Sequence, residues 1–97
     1  MAESVVSLTY GTALYEAAKD LGKEEEILIE IKQLALLVQA YEDFSEFLNS
    51  PAIMPKEKKE AVKKIMQPAF SQEMLNFVYV LIDKGRTSQI EKMAKRY

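Results

Sequence analysis

Apolar residues recur at helical spacing along almost the whole chain, and breaks in that spacing mark the element ends. The first periodic segment runs from about Ser4 to Asp20. Ser4 is a candidate N-cap, and Gly22 a candidate stop in a left-handed conformation. At about 100° per residue, Val6, Tyr10, Ala13, Leu14, Ala17 and Leu21 form one stripe, while Val5, Leu8 and Tyr15 lie nearly opposite. A surface helix of a monomer needs one apolar stripe. Two stripes predict either a helix buried between neighbours or one that also meets a partner.

The second segment, about Lys23 to Ala40, opens with Glu24, Glu25 and Glu26, which suit the positive end of a helix dipole. Ile27, Ile31, Leu34, Val38 and Tyr41 make its main stripe, with Ile29, Leu36 and Ala40 on another side. It is therefore expected to be sandwiched too. A short helix, about Glu42 to Leu48, turns Phe44, Phe47 and Leu48 inward and ends at Asn49-Ser50-Pro51, because the residue before proline avoids the helical region. Pro55 opens the fourth helix at the position where a missing N–H is harmless. Ala61, Val62, Ile65 and Met66 form its apolar face, and Pro68 ends it. Ser71 caps a fifth helix, about Gln72 to Lys84, with Met74, Leu75, Val78, Leu81 and Ile82 as its main stripe and Phe77 at the edge. Its other side carries Asn76, Tyr79, Val80 and Asp83. After Gly85, Ser88 and Glu91 predict a capping box for a sixth helix with Ile90, Met93, Ala94 and Tyr97 on one face. That pattern is still periodic at Tyr97, so the last helix reads as cut.

No strand competes, because Val78 to Ile82 sits inside a longer helical pattern. No repeat or low-complexity linker is visible. Ninety-seven residues make one domain, and 48% hydrophobic residues suffice to close its core. With three Gly and three Pro, the composition favours helix throughout. The expected fold is all-α: a compact six-helix bundle over residues 1–97.

Thirteen basic and fifteen acidic side chains leave a net charge of −2, which gives no general attraction to nucleic acid or an anionic membrane. No apolar run approaches the ~18 residues of a membrane span, and Glu3 with no basic leader argues against a signal peptide. The chain has no histidine and no cysteine. That removes the usual zinc ligands, the thiol nucleophile and the commonest general base. The acidic clusters Glu24–Glu26 and Glu42-Asp43 are adjacent positions that diverge on a helix, so they do not converge on an ion. The glycines are isolated and form no phosphate loop. Neither catalysis nor a cofactor is expected.

Lys56, Lys58, Lys59, Lys63 and Lys64 crowd the fourth helix and could hold phosphate. Glu57 and Glu60 interrupt them, and Glu60 is spaced to pair with Lys56, Lys63 or Lys64. A solvated charged face is the better account. A small nucleic-acid-binding or regulatory module using these lysines is the alternative.

Three stretches together carry a resemblance. Tyr10, Ala13, Leu14 and Ala17 form the first; Asn49, Pro51 and Ile53 with Glu57 and Lys58 the second; Asn76, Phe77, Leu81, Gly85 and Arg86 the third. In this order and spacing the chain resembles the N-terminal domain of the delta subunit of F-type ATP synthase, the oligomycin-sensitivity-conferring protein family. Two positions depart from the family pattern: Met54 where serine or threonine often caps the fourth helix, and Gly11 where alanine is common. Each is expected to cost about 1 kcal/mol.

The resemblance implies a non-catalytic stator part of a rotary ATP synthase, a clamp that anchors the catalytic head. It implies that the first and fifth helices form a groove for the amphipathic N-terminal helix of an alpha subunit. Tyr10, Ala13, Leu14, Ala17, Asn76, Tyr79, Val80 and Asp83 are the expected groove residues. A second, C-terminal domain, absent from these 97 residues, would bind the b subunit of the peripheral stalk. The implied location is the cytoplasmic face of a bacterial inner membrane, as a peripheral subunit with no membrane insertion of its own. An empty groove would also leave room for self-association.

Overall fold

Two helices of this chain stop in the same way. Gly22 and Gly85 take φ of 68° and 66°, the left-handed region open to a residue without Cβ. At the first, the Lys23 N–H reaches back to the Ala18 carbonyl at 2.8 Å; at the second, the Arg86 N–H reaches the Leu81 carbonyl at 2.8 Å. Both closures satisfy carbonyls that a helix end would leave orphaned.

The computed structural model describes residues 2–97, without the side chains of Ala2, Glu3, Ser4 and Val6. Six α-helices run through the described residues: α1 (Ala2–Asp20), α2 (Glu24–Ala40), α3 (Glu42–Asn49), α4 (Pro55–Met66), α5 (Gln72–Lys84) and α6 (Ile90–Arg96). No strand occurs among them. The Cα radius of gyration is 12.5 Å, close to the ~13 Å of a compact 100-residue domain. The all-α six-helix expectation holds.

The element ends follow the local chemistry with a few corrections. α1 starts at Ala2, so Ser4 falls inside the helix and not before it; the side chains of Ser4 and Val6 lie outside the described residues. Ser71 caps α5 as expected, its Oγ accepting the Met74 N–H at 3.2 Å. Ser50 is extended ahead of Pro51 (φ −72°, ψ 124°). α4 ends at Met66, two residues short of Pro68.

The capping box expected for the sixth helix does not form. A 3-10 turn over Thr87–Gln89 leads into α6, whose cap position is Gln89 and not Ser88. That turn is pinned by distant partners. The Thr87 hydroxyl lies 3.1 Å from the Leu48 carbonyl and 2.6 Å from Asn49 Oδ1, sharing its proton between two acceptors at the end of α3. Ser7 Oγ donates to Gln89 Oε1 at 3.1 Å in the interior. Burial of Thr87 and Gln89 therefore outweighs the local capping pattern.

The core is built from Ile27, Ile31, Leu34 and Val38 of α2, Leu48 of α3, Val62 and Met66 of α4, the main stripe of α5, and Ile90 and Met93 of α6. The sandwiching expected of α2 is not found: Ile29 and Leu36 are 58% and 64% exposed, and Tyr41 is exposed at the helix end. Ile65 of α4 also faces solvent. A domain this small has too few layers to cover a second stripe.

α1 differs most from its expected role. Its buried line is Ser7, Gly11, Leu14 and Ala18, with a single large side chain. A Cβ added at Gly11 would sit 3.0 Å from Arg96 Cβ and 3.1 Å from the Met93 carbonyl oxygen. The glycine is what lets α6 lie against α1, and its helix penalty is offset by that packing.

Candidate functional site

The line of small residues on α1 determines what lies beside it. α6 packs along α1 and α2, and α5 packs on α4. α1 and α5 have no comparable backbone contact. The gap between them is an apolar groove of about 330 Å³. Leu14 and Ala18 of α1 and Ile27 of α2 lie buried at its floor. Tyr10, Ala13, Ala17 and Leu21 make one wall, and Glu73, Asn76, Phe77 and Val80 the other.

The walls follow from helix geometry. Tyr10, Ala13, Ala17 and Leu21 recur at i, i+3, i+7 and i+11, to one side of the buried line. Glu73, Asn76, Phe77 and Val80 recur at i, i+3, i+4 and i+7 on the flank of α5 away from its core stripe. Ala13 and Ala17 are exposed and small, so a third helix could approach α1 closely there. Val80 is 46% exposed, leaving apolar surface that no described residue covers.

Polar groups sit at the edges. Lys23, just after the α1 stop, pairs with Glu73 at the end of the groove. The hydrogen bond from Lys23 holds the Glu73 carboxyl below its ordinary value, helped by a backbone N–H. The same bond raises the Lys23 ammonium. On the rim, Gln72 Nε2 donates to Asn76 Oδ1 at 2.9 Å. That orients the Asn76 amide and leaves its N–H donors, unused among the described residues, available to a ligand at the groove mouth.

Of the eight expected residues, Tyr10, Ala13, Leu14, Ala17, Asn76 and Val80 line this groove, whereas Tyr79 and Asp83 do not. Tyr79 packs half-buried against the core. Asp83 Oδ1 lies 2.7 Å from Lys59 Nζ of α4. Tyr79 turns toward the α4 side of α5, and Asp83, one turn beyond Val80 on the outward face, is held to that side by Lys59. Sequence reasoning missed Ala18, Leu21, Ile27, Glu73 and Phe77 as lining residues. Phe77 was legible at the edge of the core stripe; the Lys23–Glu73 pair joins residues fifty apart and had no sequence signal.

The lysine-rich α4 is arranged differently from expectation. Among the described residues, Glu60 pairs with none of Lys56, Lys63 and Lys64, and Lys59 is engaged by Asp83. No group of three His, Cys, Asp or Glu residues among those described could hold a metal ion. No described helix is long and apolar enough to cross a membrane.

Comparison with known proteins places the sequence in a family. The model of the ATP synthase delta (OSCP) subunit family matches residues 6–97. The ATP synthase subunit delta of Clostridium kluyveri is 36% identical over 86 residues, covering 89% of this chain and 48% of that protein. The subunit of the same description from Alkaliphilus oremlandii is 35% identical over 97 residues, all of this chain and 53% of that protein. The chain thus spans about half the length of the curated relatives it matches.

Proposed function

This chain belongs to the ATP synthase delta (OSCP) subunit family, whose members are non-catalytic, and we propose that it grips the N-terminal helix of an alpha subunit in the α1/α5 groove. In that role it holds the catalytic head of the enzyme to its peripheral stalk. It acts as the N-terminal domain of a subunit peripheral to the membrane, on the cytoplasmic face. The b subunit of the stalk is met by a further domain of the same subunit.

One observation carries this reading: an open apolar groove of about 330 Å³ between α1 and α5, with exposed Ala13, Ala17 and Val80 on its walls. An amphipathic helix laid in such a groove buries its apolar stripe. Ala13 and Ala17 allow a close interaxial distance, toward the ~8 Å end of the usual range. Tyr10, Phe77 and Val80 supply apolar area, and the Asn76 amide supplies register by donating to a polar group on the incoming helix. Apolar burial with good fit acts mainly on the dissociation rate, the property a stator needs under torque.

The alternative, phosphate binding by the α4 lysines, has less support, since Lys59 is already neutralised by Asp83. Calorimetric titration with a synthetic alpha N-terminal peptide tests the proposal. Binding at one site is expected, weakened at least about tenfold by Ala13→Asp and little affected by salt. Unchanged affinity in Ala13→Asp would remove α1 from the site, and a steep salt dependence would favour the lysines.

A further inference from the structure

A second hollow lies between α2 and α6. Its volume is about 530 Å³, against about 330 Å³ for the α1/α5 groove. Leu28, Ala35 and Leu36 of α2 and Ala94 of α6 supply its apolar surface, and Tyr97 stands at its edge. Leu28, Lys32, Ala35 and Gln39 recur at i, i+4, i+7 and i+11, so this wall runs along the axis of α2 over about three turns. Leu36 is 64% exposed at the lip, and nothing among the described residues covers it.

The Tyr97 wall is held in place. Its hydroxyl donates to the Glu24 carbonyl at 2.5 Å. Its ring meets Tyr15 edge-on, with centroids 5.4 Å apart. The aromatic surface is therefore preorganised for a ligand, with little further ordering required on binding.

Charge separates this hollow from the first. At the α1/α5 groove, Lys23 and Glu73 neutralise each other. Here Lys32 and Lys95 stand on the two lips, and Glu91 is the one acid among the described lining residues. Lys95 makes no ion pair among the described residues. In a chain of net charge −2, this is a local cationic rim around an apolar floor. Two-fold pairing of the groove with a second copy would set lysine lips against lysine lips, which like-charge repulsion disfavours.

We propose that the α2/α6 groove is a second docking site, specific for an amphipathic helix whose apolar stripe is flanked by carboxylates. Its leucine-type side chains lie on Leu28, Ala35 and Ala94, and its carboxylates meet Lys32 and Lys95. The domain then holds two helices at once, on separate faces and by different electrostatics.

The test uses fluorescence anisotropy with two labelled model peptides, both leucine- and alanine-striped amphipathic helices, one flanked by glutamate and one by lysine. The glutamate peptide is expected to bind at least about tenfold more tightly than the lysine peptide, and to weaken with added salt. Leu36→Asp and Lys95→Glu, both at exposed positions, should each weaken it about tenfold, with circular dichroism unchanged, while Ala13→Asp leaves it intact. Equal affinity for the two peptides, or no binding of either, would overturn the proposal. So would loss of binding in Ala13→Asp in place of Leu36→Asp, which would put the peptide in the α1/α5 groove. Light scattering that shows a dimer dissolved by Leu36→Asp would assign the face to a second copy instead.

Discussion

Ser71 donates twice to one oxygen of Glu30. Its backbone N–H and its hydroxyl each lie 2.8 Å from Glu30 Oε1, while its Oγ accepts the Met74 N–H that begins α5. A carboxylate in the middle of α2 thereby fixes the entry angle of α5, and with it one wall of the α1/α5 groove. Charge-assisted bonds of this kind are roughly twice as strong as neutral ones. Ser71→Ala should cost about 1–2 kcal/mol by urea unfolding. Glu30→Ala should cost a similar amount, and the double variant less than the sum, because both remove one network. Additive losses would show that the two residues act independently.

Gly11 gives a steric test of the α1–α6 contact. Gly11→Leu should lower stability by about 1–3 kcal/mol, since its Cβ alone already crowds Met93 and Arg96 and the isobutyl group adds further volume there. In Gly11→Ala a gain in helix propensity of about 1 kcal/mol works against a methyl only 3.0–3.1 Å from its neighbours. The net change should be small, and the difference between the two variants is the informative quantity. A Gly11→Leu protein as stable as the parent would mean that α6 does not lie on α1.

The Lys23–Glu73 pair predicts a pH dependence with a definite sign. The carboxyl of Glu73 is held below its usual value near 4.5, so its contribution is full above that pH and is lost as pH falls through the lowered value. The Lys23 ammonium is raised from 10.5, so its contribution is full below that pH and is lost as pH rises through the raised value. The stability difference between parent and Glu73→Gln should be flat across neutral pH and narrow toward both extremes. Both groups are solvent-accessible, so the difference should be small and should shrink with salt. A difference that grows in acid would have the wrong sign.

The groove residues separate into two sets that binding should distinguish. Val80→Asp places a charge on the apolar wall and should weaken an alpha N-terminal peptide at least about tenfold with little loss of stability, because the side chain is already half exposed. Asp83→Asn and Tyr79→Ala should leave that affinity nearly unchanged. Tyr79→Ala should instead destabilise the fold, by about 1–3 kcal/mol for a half-buried aromatic. Equal losses of binding from Val80→Asp and Asp83→Asn would mean that the partner lies along the outward face of α5 and not in the groove.

Helix existence, most helix ends and the core faces of α2 and α5 were legible because they depend on short-range rules. Glycines at Gly22 and Gly85, Pro51 and Pro55, and the Ser71 cap act on the residues beside them. Six of the eight expected groove residues came together for a similar reason: helical spacing puts Tyr10, Ala13 and Ala17 on one flank wherever α1 goes. The misreadings arose where a distant neighbour decided. Asn76, Tyr79, Val80 and Asp83 share the outer side of α5, and only the position of α1 on one hand and α4 on the other divides them. Ser88 and Glu91 satisfy a local capping pattern, but Leu48, Asn49 and Ser7 hold the neighbouring residues in a different turn.

By itself, then, the sequence determined a helical chain without the side chains for thiol or imidazole chemistry, its punctuation, and two apolar sides on α1. Tertiary structure alone decided what each side does: Val5, Leu8 and Tyr15 stay exposed, while Tyr10, Ala13 and Ala17 become a groove wall. Gly11 admits α6 on one flank of the Ser7–Leu14–Ala18 line, while α5 rests on α4 and stays clear of the other. Periodicity tells which residues share a face; whether that face is covered depends on the separation between helices, and that separation is set by packing between residues far apart in the chain.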